Sequence, residues 1–340
     1  MDILKLTTIA VVMGLTACAS TEVKPYRSAP QALVNKTQGT LNLNIPQKEI
    51  EAIVPVADSS AAVAQYGLVG LMVGGALDAS TNISNKALYQ KLLAPIQNKM
   101  LAFNFDGQAD KMVKAATVNI PWFEAKNYTL SKKAQEAFAE PTLTVSIGYR
   151  LTTDLSTLIV VADVEQHNAN SKKEHTALTY KNRFSYVSKR LPIKVFREPE
   201  EIEAAKKELW RKFNERPEHV KKDRNVLLKL NYALKKADDN LSYEEQLEHS
   251  ANLWHANDGQ LIKQELNNAL IDLSLMLQTD LADPTAPAEL LKRPTANDGG
   301  MVKDFEVVKV LDKRRIVRNV RGNYVGVLCS ISYDNNGGCQ

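Results

Sequence analysis

The chain has 340 residues, 44% of them hydrophobic, which is enough for one large domain or two modest ones. Forty-three basic residues against 39 acidic ones leave a net charge of +4, too little for the dense basic surface that nucleic acid demands. Cysteine usage is sparse, with three in the whole chain.

At the start, Lys5 sits in a short polar region and residues 6–15 form an apolar run. A run of that length cannot span a bilayer and has the size of a signal-peptide core. Asp2 departs from the net positive charge such leaders carry. The run ends Leu15-Thr16-Ala17-Cys18, and L-T-A-C resembles the lipobox of bacterial lipoproteins. That resemblance implies that residues 1–17 are a signal peptide, that Cys18 becomes the first mature residue, and that its sulfur carries a lipid of the palmitate type. The alternative is an ordinary secretory signal cut after Ala17 or Ala19; in both cases the mature chain leaves the cytoplasm. Each buried methylene contributes about 0.8 kcal/mol, so two or three acyl chains hold where one does not. Ala19 and Ser20 follow the cysteine with no aspartate beside it. This resembles the signal for export to the inner leaflet of the outer membrane, with the body facing the periplasm.

Residues 18–39 are polar with Pro25 and Pro30 and read as a flexible tether, with a reach of roughly 25 Å. An α/β periplasmic domain is expected over 40–196. Leu41, Leu43 and Ile45 alternate with polar residues as a half-buried strand does, and 51–57 is a second candidate strand. Residues 67–77 carry no polar side chain, and Gly67, Gly70, Gly74 and Gly75 punctuate them. Gly70 and Gly74 would share a helix face and let another backbone approach. Eleven helical residues extend only about 16 Å, half a bilayer core. The readings open for this segment are a tightly packed buried helix, then membrane contact, then a re-entrant or oligomeric element. Helices are predicted to continue to about Pro95 and again near 110–116. Runs 142–151, 156–165 and 177–187 then predict an antiparallel meander.

Residues 197–283 read as a charged helical segment packing on the domain. Ile202, Ala205, Leu209 and Phe213 mark one stripe; Val226, Leu227, Leu230 and Leu234 mark another. Ser242-Tyr243-Glu244-Glu245 is a capping-box start and Asp258 is a candidate cap for the last helix. There Leu266, Leu270, Leu273 and Leu277 form a core-facing stripe. The basic stretch 206–224 also holds glutamates and reads as a solvated face. Prolines and glycines make 284–303 a linker, and 304–340 is a small C-terminal β module of three short strands. Its arginines, Arg314, Arg315, Arg318 and Arg321, are expected to protect a sheet edge or to meet an anionic partner. The fold class is therefore α+β: an antiparallel sheet packed with helices, a charged helical segment and a small β module.

Cys329 and Cys339 lie ten residues apart around Asn335-Asn336-Gly337-Gly338, a turn that can bring the chain back on itself. In an oxidising periplasm a disulfide is expected ahead of free thiols, contributing about 2–3 kcal/mol. No C-x-x-C spacing marks a redox pair.

The order of strand, glycine-rich apolar segment, Trp122-Phe123, the run YRLTTDLSTLIVVADV at 149–164, and then LWHANDG at 253–259 looks like a group of uncharacterised proteobacterial lipoproteins. These are similar in plan to the periplasmic lipoprotein domains of the curli secretion channel and of activators of penicillin-binding proteins. The resemblance implies a non-enzymatic envelope role and assigns no catalytic residue. Nor do motifs point to chemistry: G-x-S-x-G, P-loop, H-E-x-x-H and G-x-G-x-x-G patterns are absent from the sequence. His249 and His255 are six apart and point to different sides of a helix, out of register for zinc. No catalytic residue, metal site or small-molecule cofactor is expected. The expected role is structural, scaffolding or partner-binding, with the membrane contacted through the lipid and an envelope protein or a second copy as partner. An envelope enzyme such as a cell-wall hydrolase is the alternative, and it requires a cleft holding a carboxylate or histidine of perturbed pKa.

Overall fold

Strict alternation builds the centre of the molecule. Leu143, Val145, Ile147, Tyr149 and Leu151 are buried while Thr144, Ser146 and Gly148 between them stay partly exposed, the period-two pattern of a strand with one dry face. The computed structural model describes residues 36–55, 82–133, 137–169, 171–172, 178–238, 240–283, 287–293, 297–298, 301–302, 304–321 and 324–333. In chain order these form β1 (Thr37–Asn44), β2 (Glu51–Ala52), α1 (82–100), α2 (Phe105–Thr117), β3 (Phe123–Ser131), β4 (Ala137–Phe138), β5 (Thr142–Leu151), β6 (Leu158–His167), β7 (Ser171–Lys172) and β8 (Leu178–Val187). They continue as α3 (Pro199–Asn214), α4 (Glu218–Lys221), α5 (Arg224–Ala237), α6 (Tyr243–Ala282), α7 (Pro287–Leu290), β9 (Asn297–Asp298), β10 (Met301–Val302), β11 (Phe305–Val310), β12 (Arg314–Asn319) and β13 (Leu328–Ser332).

The fold class is α+β, with one nine-stranded sheet ordered β11-β12-β13-β8-β6-β5-β1-β3 and β2 beside β5. β5, β6 and β8 make the predicted antiparallel meander. The sheet as a whole is mixed, because β1 runs parallel to both β5 and β3, and β13 runs parallel to β8. Parallel neighbours need crossover connections; α1 and α2 lie between β1 and β3, and α3 to α6 precede the C-terminal strands. Those last strands form the predicted β module, but they extend the main sheet rather than standing apart. Phe305, Val317, Val327, Cys329 and Ile331 make a small core of their own, while Ile316 and Leu328 join the main one.

Helices cover one sheet face. Tyr89, Leu92, Leu93 and Ile96 of α1, Phe105, Ala109 and Val113 of α2, and Leu266, Leu270, Leu273 and Leu277 of α6 are all buried in the main cluster, as the leucine stripe predicts. The other face is partly open over β5, β6 and β8, where Ser146, Arg150, Asp163 and Arg183 stand beside Ile159 and Val161.

Between β1 and β2 the chain leaves the ladder, and a side chain fills the gap. The Gln47 amide donates to the Tyr149 carbonyl at 2.6 Å and accepts from the Tyr149 N–H at 2.9 Å, copying the pairing of a strand residue. At the start of β1, Gly39 meets β5 so closely that an added Cβ would lie 1.9 Å from the Pro141 carbonyl oxygen. Gly39→Ala is therefore expected to destabilise by about 1–3 kcal/mol, because backbone must move to admit the methyl group. A urea midpoint equal to the parent's would refute that close approach.

Helix α6 begins with the predicted capping box, Ser242 accepting from the Glu245 N–H and Glu245 from the Ser242 N–H. It breaks at Ala256–Gly259, where Asn257, Asp258 and Gly259 take φ of 49°, 60° and 67°. Asp258 is thus left-handed, outside the extended conformation usual at a helix N-cap, and its carboxylate pairs with Lys99 at 3.0 Å and Lys263 at 3.3 Å. By contrast, α3 buries no residue and α5 buries only Leu230 and Ala237; these two helices pack on each other. Leu227, placed by sequence on an inward stripe, is 41% exposed.

Candidate functional site

The second half of α6 carries three carboxylates along the face it lays on the sheet. Glu265, Asp272 and Asp280 are seven and eight residues apart, close to whole numbers of turns. Each meets a partner on a strand. The Tyr186 hydroxyl donates to Glu265 at 2.5 Å. Asp272 accepts from Arg314 Nε at 3.1 Å and from the Ser330 hydroxyl at 2.5 Å. Asp280 accepts from Tyr180 Oη at 2.6 Å, Asn182 Nδ2 at 2.9 Å and Arg318 Nη2 at 3.3 Å. The match is geometric: eight helical residues rise about 12 Å and four strand residues about 13 Å, so Asp272 and Asp280 fall over Arg314 and Arg318.

This ladder corrects the reading of those arginines as an exposed edge. β12 lies between β11 and β13, Arg318 is 5% exposed, and Arg314 stacks over the Tyr186 ring at 3.9 Å. Burial pushes the Asp280 carboxyl above its ordinary value, against the pull of Arg318, Tyr180 and Asn182. Burial likewise pushes the Tyr186 phenol far up, outweighing the nearby Arg314 cation, so Tyr186 stays a hydrogen-bond donor at neutral pH.

At its Glu265 end the ladder opens into a cleft of about 470 Å³ lined by Tyr186, Lys189, Glu265, Asp312, Lys313 and Arg314. Both signs of charge line it. Arg314 is already committed to Asp272, to the Ser330 hydroxyl and carbonyl, and to the Val187 carbonyl. Within this cleft Tyr186 holds Glu265, and Arg314 ties α6 to β13 and β8.

A second constellation clamps the turn between β5 and β6. Leu155 is buried with φ of 53°, a conformation a leucine rarely adopts. The Trp254 indole N–H donates to the Leu155 carbonyl at 2.6 Å, Tyr243 donates to the Thr153 carbonyl at 3.0 Å, and Tyr89 donates to that same carbonyl. Asp154 accepts from Thr152 at 2.6 Å, from the Ser156 N–H at 3.1 Å and from Arg190 at 2.7 Å. Burial works to raise its pKa, but these hydrogen bonds win and hold it at about 2.

On the open face Arg183 grips Asp163 through two bonds of 2.6 and 3.0 Å, beside a groove of about 310 Å³ that Gln47, Arg150 and Gly148 also line. Further along β6, His167 stacks on Phe138 with ring centroids 3.9 Å apart. Its Nε2 lies 3.4 Å from Glu165, and Lys181 lies 2.7 Å from the same carboxylate. The His167 hydrogen bond, with Lys181, holds Glu165 at about 2 against the effect of burial. Both depressed carboxylates, Asp154 and Glu165, stabilise the fold above about pH 5, and that contribution is lost as pH falls towards 2. Glu165→Gln is expected to flatten this part of the acid limb in urea midpoints taken across that range; an unchanged slope would refute the ion pair's contribution.

Among the described residues no group of three or more His, Cys, Asp and Glu side chains could hold a metal ion. Of the residues singled out by sequence, Cys18, Gly67, Gly70, Gly74, Gly75 and Cys339 lie outside the described residues. Cys329 is buried on β13. Sequence reasoning missed the carboxylate ladder; the eight-residue aspartate spacing inside an apolar helix, matched by arginines four apart on a strand, was the available signal. Set against known protein families, curated proteins and solved structures, the chain matches none.

Proposed function

We propose that this chain is a lipid-anchored protein of the bacterial envelope, held by Cys18 at the inner leaflet of the outer membrane, whose periplasmic body has a structural, scaffolding or partner-binding role. The observation that carries binding over catalysis is how the cleft groups are used. Glu265, Asp272 and Asp280 are each engaged with strand side chains, and Asp163 with Arg183. Meanwhile one sheet face and a charged helical pair remain available to a partner. Cys329 and Cys339 belong to this proposal as a disulfide pair that closes the C-terminal strands.

The test is metabolic labelling with palmitate, followed by native mass spectrometry of the detergent-solubilised protein. The reading expects label in the parent chain, none in Cys18→Ala, and either a defined homo-oligomer or a stoichiometric envelope protein bound to it. Equal labelling of both chains, or a strict monomer with no bound protein, would overturn it.

A further inference from the structure

Helix α5 carries a face that the fold leaves uncovered. At 100° per residue, Leu230, Val226 and Ala237 share its inner side, and Leu230 and Ala237 are buried. On the opposite side Leu228 and Tyr232 stand one turn apart, 56% and 71% exposed. Arg224, Lys229, Lys235 and Lys236 surround that pair and are exposed. None of these four side chains makes an ion pair, whereas Lys206 of the neighbouring helix is paired with Asp238. The charge is local to this part of the chain. Residues 206–236 hold eleven lysines and arginines against four carboxylates, a net +7, so the remaining residues of a chain of net +4 sum to −3.

We infer that the outer face of α5 is a docking surface for an anionic phospholipid bilayer. The face is convex, with an apolar and aromatic centre and cations on both flanks, which is how an interfacial helix sinks its centre between headgroups while its lysines meet lipid phosphates. Tyrosine suits that boundary because its ring is apolar and its hydroxyl is wet. An acidic protein would be met by the same cations, but a protruding Leu–Tyr pair on a convex helix then needs a matching pocket, which a deformable lipid surface does not. This surface goes beyond the lipid at Cys18 and does not require it. A chain so held would lie with α5 flat on the membrane.

The test uses the chain from Ala19 onward, made without lipid, and vesicles of phosphatidylcholine alone or with about a third phosphatidylglycerol. Co-sedimentation should occur with the anionic vesicles and should fall in about 0.5 M salt as the charges are screened. The triple variant K229E/K235E/K236E should bind more weakly by about tenfold or more, and Leu228→Ser with Tyr232→Ser severalfold more weakly; circular dichroism should match the parent, because all five side chains are exposed. Three outcomes overturn the inference: equal binding to neutral vesicles, anionic binding insensitive to the lysine changes, or no vesicle binding with lysine-dependent binding to polyglutamate. The last would identify an acidic polypeptide as the partner. Because Cys18 is absent from every sample, failure here leaves the proposed lipid anchor untouched, and failure of palmitate labelling leaves this surface untouched.

Discussion

Arg318→Met is expected to destabilise the protein by about 3–5 kcal/mol, because it strands Asp280 in the core with its counter-charge gone. Asp280 is fully buried and takes hydrogen bonds from Tyr180, Asn182 and Arg318. Arg318 in turn bridges to Glu306 at 3.2 Å, which also holds Arg293 at 2.7 Å, so the loss propagates to the β11–β12 hairpin. The double variant Arg318→Met, Asp280→Leu should recover about half of the loss, since removing both charges also removes the unpaired buried ion. The pH dependence has a definite sign. A carboxyl whose folded pKa is raised favours the fold most in acid and loses that advantage as pH rises through the folded value. Removing the arginine raises Asp280 further, so the deficit of Arg318→Met should be smaller near about pH 4 than near about pH 7. Urea unfolding at both pH values measures this. A single-variant loss below about 1 kcal/mol would mean that the ladder does not carry the helix.

Trp254→Ala carries the other large expected effect, also about 3–5 kcal/mol. Its side chain is 0% exposed, in the main core, and its N–H supports the left-handed Leu155. Trp254→Phe separates the two contributions: it keeps most of the ring volume but leaves a buried carbonyl without its donor, for an expected loss of about 1–3 kcal/mol. If phenylalanine proves as costly as alanine, packing shape dominates and the hydrogen bond to Leu155 matters little. Native-state hydrogen exchange adds a local readout, since weakening this clamp should speed exchange in the β5–β6 turn before it affects β8.

Both variants probe features that were only partly legible in one dimension. The meander of β5, β6 and β8 could be read directly, because period-two alternation is local and its hydrophobic face is unambiguous. The α6 leucine stripe and the capping box at Ser242 were legible for the same reason. Asp258 departs from its sequence expectation: an aspartate before a helical run predicts a cap, but the chain turns left-handed there and hands its carboxylate to Lys99, a residue 159 positions away in sequence. The exposed outer face of α5 was equally hidden. A basic stretch with glutamates looks like any solvated helix until burial shows which apolar residues failed to find a core.

By itself the sequence determined most of the local elements and the α+β class, because these rest on periodicity and capping chemistry within short windows. Only the tertiary structure decided that the C-terminal strands extend the main sheet, that β1 and β13 lie parallel to their neighbours, and that Arg318 is buried and Arg314 half-buried against α6 rather than guarding an edge. The physical reason is the same in each case. Strand pairing and ion pairing join residues tens to over a hundred positions apart, and the energy that selects those partners comes from burial and charge neutralisation that exist only once the chain has closed on itself.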